Sequence, residues 1–170
     1  MEFYQASLAE VEQQVESDPD NPDAYYKKAI YLEALGQTEP ALSAVKQAIN
    51  LDPSPDYLMK EAQLLEATGD YETALARVSR AQILGGDYPD LWHLMAKLNH
   101  LQGNQKTALS EVNQALQMYP ESLSYYCTKG KIEWALNDTI KAINSFSKSM
   151  THPETRYESM KFLASIHRVN

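Results

Sequence analysis

The chain has 170 residues, 44% hydrophobic and 22% charged, with 15 Lys plus Arg against 23 Asp plus Glu for a net charge of −8. Such a length suits one compact domain or a short repeat array, the apolar content argues against disorder, and the acidic balance disfavours nucleic-acid binding, which needs phosphates to be neutralised. The lone Cys127 excludes an intramolecular disulfide framework and a cysteine-based zinc site, no run approaches the ~20 apolar residues that span a bilayer, and residues 1–15 lack the basic and apolar segments of a secretory signal. The compartment is therefore left open, cytoplasmic by default and exported if a leader has been removed.

The first predicted element is a helix over 2–17, with Tyr4, Leu8, Val11 and Val15 on one stripe. Helix pairs follow at 22–35 and 39–51, 56–68 and 72–84, 89–102 and 105–118, and 123–136 and 139–150. A last helix is predicted over 155–169. Pro22, Pro40, Pro55 and Pro89 fall near helix starts, where the missing N–H costs little. Asn21, Ser54, Asp70, Asn104 and Asp138 are candidate N-caps, whose side-chain oxygens can accept from first-turn amides.

The pairs repeat with one period. Gly36, Gly69 and Gly103 are spaced 33 and 34 residues apart, and a further 34 reaches Asn137, which also tolerates a left-handed backbone. Pro19, Pro53, Pro120 and Pro153 keep the same beat. Around each turn residue the same size classes recur. Seven before stand Ala29, Ala62, Ala96 and Gly130; five after stand Ala41, Ala74, Ala108 and Ala142. Nine after stand Val45, Val78, Val112 and Phe146; twelve after stand Ala48, Ala81, Ala115 and Ser149. Eleven before stand Tyr25, Leu58, Trp92 and Tyr126. Small residues let helix backbones approach, and the larger ones fill the space between pairs.

These columns resemble those of the tetratricopeptide repeat family. The resemblance implies an all-α right-handed solenoid of antiparallel helix pairs in one domain over 1–170. It comprises a half-repeat helix at 1–20, repeats at 22–54, 55–88, 89–122 and 123–156, and a capping helix at 157–170. Two departures stand out. The family's glycine and tyrosine in the first helix of the repeat are mostly replaced, by Ala29, Ala62 and Ala96 and by Leu32, Leu65, Asn99 and Glu133. The second repeat closes on Gly85-Gly86 in place of a proline, which could add flexibility there.

No catalytic constellation emerges. There is no phosphate-binding Gly-rich loop with Lys and no Gly-x-Ser-x-Gly elbow. His93 and His100 stand seven apart on one helix, ~10.5 Å along its axis, too far to share a metal; His152 and His167 add no cluster. Lys131 lies one turn after Cys127 and is expected to lower its thiol pKa somewhat, with no histidine placed beside it. The chain is therefore expected to be neither an enzyme nor a metal or cofactor binder.

Binding is the expected role. In the family the first helices of the repeats line a concave groove. Residue by residue, the resemblance places there Tyr26, Ile30, Met59, Gln63, His93, Lys97, His100, Cys127, Lys131 and Trp134. Flanking charges come from Asp23, Glu33, Asp56, Glu66, Asp90, Glu158, Lys161 and Arg168. Aromatics and Met suit a recognition groove through contact area and adaptability. The subfamily that clamps chaperone carboxyl-terminal tails uses Lys and Asn, then Asn, then Lys and Arg. Here those windows read Tyr26/Ile30, Lys60 and Asp90/Leu94, or one repeat later Met59/Gln63, Leu94 and Ser124/Thr128, so such tails are not expected as partners. Residues 1–85 carry net −9 and residues 86–170 net +1, a gradient that would orient a partner. The last helix matches the first helix of a pair, with Ala164 in the small column, and Leu163 and Ile166 are candidates for an edge contact: either the array continues beyond it, or the edge docks on a partner or second copy, or these residues turn inward against repeat 4 as a simple cap. The favoured reading is a non-catalytic scaffold or adaptor for a peptide, helix or protein surface. The alternative is a segment of a larger, exported bacterial assembly protein or lipoprotein acting by end-to-end or self-association.

Overall fold

The structure, a computed structural model, describes residues 2–151 and 153–169, with side chains at all of these except 154 and 167–169. His152 and the side chains of His167 and Arg168 therefore lie outside the described residues. The described chain is all-α. It groups into two compact units, residues 1–86 and 87–170, with net charges of −9 and +1.

The first unit holds α1 (Glu2–Ser17), α2 (Pro22–Ala34), α3 (Thr38–Leu51), α4 (Pro55–Thr68) and α5 (Tyr71–Ile83). The second holds α6 (Pro89–Leu101), α7 (Gln105–Met118), α8 (Leu123–Ala135), α9 (Thr139–Ser149) and α10 (Pro153–Val169). Within each unit the first helix of a repeat, helix A, packs against its own second helix, helix B, and that helix B packs against the next helix A. The helix A members are α2, α4, α6 and α8; the helix B members are α3, α5, α7 and α9.

Each helix A ends in the same device. The N–H groups of Gly36 and Gln37 bond to the carbonyls of Glu33 and Leu32 at 2.8 and 2.9 Å. Gly69 and Asp70, Gly103 and Asn104, and Asn137 and Asp138 repeat this pattern of bonds, which is a Schellman closure and requires a left-handed residue. All four have it, with φ between 62° at Asn137 and 87° at Gly69. Gly85, with φ 97°, and Gly86 close α5 in the same way, bonding to the carbonyls of Gln82 and Ala81.

At the helix starts, Asn21, Ser54, Asp70 and Asp138 accept first-turn amides as expected. Asn104 does not. Its amide donates instead to Asn99 Oδ1 at 3.2 Å, where it supports a buried polar pair: Asn99 Nδ2 donates to both Glu111 carboxylate oxygens at 3.0 and 2.9 Å.

The small columns form the core. Ala29, Ala62 and Ala96, Ala41, Ala74, Ala108 and Ala142, and Ala48, Ala81, Ala115 and Ser149 are all fully buried, as are Val45, Val78, Val112 and Phe146 between them. Repeat 4 reverses the sizes. Gly130 replaces the alanine and Phe146 the valine, and a Cβ built on Gly130 would meet Phe146 ring atoms at 2.8 Å.

Candidate functional site

On the helix A row of the first unit, Tyr57 OH donates to Asp23 Oδ1 at 2.5 Å. Its ring packs on that of Tyr26 with centroids 4.8 Å apart and 39° between planes. Lys60 pairs with Glu33 at 2.9 Å. Both phenols are pushed above their usual pKa. For Tyr57 burial and the bond to Asp23 are the causes; for Tyr26 they are burial and the negative charge of Asp56 and Glu33. Each therefore stays neutral. Ile30, Met59 and Gln63 are half-buried on the same row.

The second unit repeats this arrangement one period-pair later. Tyr125 OH donates to Asp90 Oδ1 at 2.5 Å, and its ring packs on His93 at 4.5 Å and 40°. His93 Nε2 stands 2.8 Å from Thr128 Oγ1. Burial first, then the positive charge of Lys97, lowers the His93 pKa to about 4, so the imidazole is neutral near pH 7. Tyr57 and Tyr125 were not singled out from the sequence. Their signal is a shared repeat position 68 residues apart, each one residue after a row carboxylate or serine, Asp56 and Ser124.

The remaining expected residues divide. Lys97 is half-buried on α6. His100 belongs to the turn: its Nδ1 bonds to Gln105 Oε1 at 2.6 Å, and Gln105 Nε2 donates back to the His100 carbonyl at 3.2 Å. Gln105 Oε1 can only accept, so Nδ1 carries the proton. Lys131 is held by Glu158 at 2.5 Å, and although burial opposes ionisation of Glu158, this bond brings its pKa below the ordinary value. Cys127 is only 3% exposed, lying 3.6 Å from Glu158 Oε2 and 3.7 Å from Ser159 Oγ. Burial raises its pKa, outweighing Lys131. Lys131 acts to lower the thiol pKa as expected, but burial prevails, and α10 covers the side chain, so Cys127 presents no exposed thiol on the row. Trp134 packs on the cluster of Cys127, Ala142, Phe146 and Ile166.

Leu163 and Ile166 turn inward against repeat 4 rather than forming an edge. Ile166 is 1% exposed and Leu163 packs on the same cluster, with Phe162 stacked on Phe146 at 5.1 Å. The open face of α10 lies elsewhere: Tyr157 is 80% and Met160 55% exposed, and Ala164 is exposed too.

A second recurring feature is a cleft between helices A and B. In repeat 1 it encloses about 350 Å³, lined among others by Tyr25, Lys28, Leu32 and Ala44. In repeat 4 the same positions, Tyr126, Lys129, Glu133 and Ser145, line about 190 Å³. The position of Ala44 and Ser145 carries Arg77 and Glu111 in repeats 2 and 3. Arg77 Nε reaches 2.7 Å from Glu61 Oε2 as an ion pair, and Glu111 meets Asn99. Among the described residues no group of His, Cys, Asp and Glu could hold a metal ion, and no helix is long and apolar enough to cross a membrane.

Tetratricopeptide repeat family models match residues 22–55 and 59–123; the chain belongs to the tetratricopeptide repeat family. Proteins of this family are generally non-catalytic interaction scaffolds, and the fold supports that role in general. No curated protein sequence matches the chain. Solved structures do. MamA from Desulfovibrio magneticus RS-1 is 17% identical with a TM-score of 0.79, over 87% of this chain and 84% of that one. YrrB, described as a TPR protein with an unusual peptide-binding site, is 16% identical with a TM-score of 0.71, over 88% and 79%. The Cut9–Hcn1 hetero-tetramer of the APC/C is 14% identical with a TM-score of 0.87, over 98% of this chain and 34% of that one. At these identities the likeness is one of fold.

Proposed function

We propose that the chain is a non-catalytic scaffold that holds a peptide, a helix or a protein surface against the helix A rows of its two units. The observation that carries this reading is the pre-organisation of the rows. Tyr26 and His93 are each fixed by a neighbouring tyrosine, which is in turn fixed by a carboxylate. A rigid row loses little conformational entropy when a partner arrives, so contact area converts more fully into affinity. In the first unit Tyr26, Ile30 and Met59 supply apolar and aromatic surface beside Asp23, Glu33 and Asp56. In the second, Lys97 and Lys161 bring the opposite sign, Lys131 being paired with Glu158.

Chaperone carboxyl-terminal tails do not fit this chemistry. Lys60 of the corresponding window is already paired with Glu33, and Asp90 would repel a terminal carboxylate. The test is capture of partners on wild-type chain and on Tyr26→Ala/Met59→Ala, with each captured protein then titrated in purified form. A purified partner whose affinity falls at least tenfold on the double variant supports the row. Equal affinity for both chains refutes it.

A further inference from the structure

Eight residues after the turn residue, Arg77 and Glu111 cross from helix B to helix A of their repeats. They reach Glu61 Oε2 at 2.7 Å and Asn99 Nδ2 at 2.9 and 3.0 Å. Ala44 and Ser145 hold the same position in repeats 1 and 4, and there the clefts of about 350 and 190 Å³ lie between the helices. On α8 the cleft residues Tyr126, Lys129 and Glu133 stand at i, i+3 and i+7 of one stripe. The row residues Cys127, Lys131 and Trp134 stand at i, i+4 and i+7 of another. The cleft is thus distinct from the row of the proposed function, and its use does not depend on that row.

The two clefts differ in charge. In repeat 1 Lys28 is paired with Glu12 at 3.0 Å, and Pro40 and Gln47 on the wall from α3 are uncharged. In repeat 4 those wall positions carry Lys141 and Lys148, and Lys129 stands where Lys28 does. Two carboxylates are near, and both are engaged. Glu133 is 2% exposed; its Oε2 accepts from Ser145 at 2.6 Å and its Oε1 lies 3.9 Å from Lys129. Asp138 pairs with Lys141 at 2.6 Å, but their side chains are 37% and 67% exposed, and a pair so open to water contributes little. Lys148 makes no ion pair among the described residues; its ammonium stands 4.7 Å from the centre of the Tyr126 ring. An exposed cation without a counter-ion is thereby held in place on the cleft wall.

We propose that the cleft of repeat 4 is a second binding site, which takes a glutamate or aspartate side chain from an acidic segment of a protein partner between Lys148 and Lys141. Repeat 3 shows the fit. There the chain itself places Glu111, a carboxylate on a short apolar stem, between the two helices, where it is 7% exposed. The Tyr126 ring and the lysine stems suit such a stem, while the ammonium groups suit its charge. The lysines form a local cluster and no track. In repeat 3 of the same unit the equivalent wall positions are Thr107 and Gln114, so a nucleic-acid backbone, which needs phosphate contacts along its length, finds no continuation.

Fluorescence anisotropy of a labelled hexaglutamate peptide, titrated with the 170-residue chain at low ionic strength, tests this. Saturable binding with a dissociation constant below roughly 1 mM is expected, weakening as salt is added. Lys148→Glu should lose at least about fivefold in affinity. Lys106→Glu makes the same change of net charge on an exposed residue of the same unit outside this cleft, and should stay within about twofold of wild type, because a distant exposed charge is screened. Circular dichroism checks that helicity is kept; if Lys148→Glu loses it, Lys148→Met, which keeps the stem over Tyr126, replaces it. Three results each overturn the proposal. One is binding that does not saturate. Another is equal loss on the Lys148 and Lys106 variants. The third is displacement of the peptide by inorganic phosphate or by a six-residue oligodeoxynucleotide at lower concentration than by unlabelled hexaglutamate.

Discussion

Repeat 4 offers a direct test of how the core is built. Gly130 lies mid-helix in α8, where alanine is ordinarily better by about 1 kcal/mol. Propensity alone therefore says that Gly130→Ala stabilises. Packing says the reverse. The new methyl would sit 2.8 Å from Cδ1 and Cε1 of Phe146, well inside van der Waals contact. That ring cannot easily retreat, being fully buried and stacked on Phe162 at 5.1 Å. Overpacking of this kind costs about 1–3 kcal/mol, so Gly130→Ala is expected to lose about 1 kcal/mol net. Phe146→Val alone removes most of a ring and leaves a cavity, costing about 2–3 kcal/mol, below the usual range for Phe→Ala. The double variant recreates the alanine and valine found together in repeats 1 to 3. Its loss should therefore be smaller than the sum of the single losses by at least about 1 kcal/mol. Urea titration followed by far-ultraviolet circular dichroism measures all four corners of the cycle. Two results would refute the reasoning: Gly130→Ala as stable as the wild type or more so, or additivity within about 0.5 kcal/mol.

Two further outcomes follow from the helix A rows. His93 titrates at about 4 in the fold against 6.5 as its ordinary value, so the unfolded chain takes up its proton first as pH falls. The stability linked to His93 is full above pH 6.5, declines between 6.5 and about 4, and is level below; conversion of the shift sets at most about 3 kcal/mol. The urea midpoint of wild type should thus fall relative to that of His93→Phe as pH drops through that window, and parallel curves would exclude the effect. Tyr125→Phe and Tyr57→Phe each delete a hydroxyl bonded to a carboxylate. Because Asp90 and Asp23 are exposed and can rehydrate, each variant should lose about 1.5 kcal/mol, the low end for bonds to charged groups, and a loss under about 0.5 kcal/mol in thermal or urea unfolding would count against the bond.

What the sequence made legible was whatever depends on a residue and its own repeat. Turn glycines, proline starts and small columns are dictated by backbone conformation and by helix-to-helix distance, so their spacing placed the paired helices of the described residues within a residue or two of their ends. Asn137 was readable as a turn residue because only a few side chains tolerate φ near 62°. Asn104 stands at the N-cap position of α7 but makes no side-chain capping bond; its amide donates to Asn99 Oδ1. The position was visible in the sequence, whereas the orientation of Asn99 is set by Glu111, which it meets only once α6 and α7 have packed.

The rows were harder for a related reason. A repeat position says that a side chain faces the row, but not how much of it the next repeat consumes. Tyr26 and Cys127 share one position, as do Met59 and His93. Tyr26 packs on Tyr57 and remains half-exposed, while Cys127 disappears beneath α10, because the residue following it in register is Ser159 on a helix that crosses its face. Met59 keeps its flexible end on the row; His93 is fixed between Tyr125 and Thr128 and held neutral. One repeat position thus yields an aromatic platform, an adaptable thioether, a neutral imidazole and an inert thiol. The packing columns are nearly uniform because every repeat faces the same neighbour geometry. The row residues differ because each meets different side chains on the following helix, and under the proposed function that difference is where recognition is to be sought.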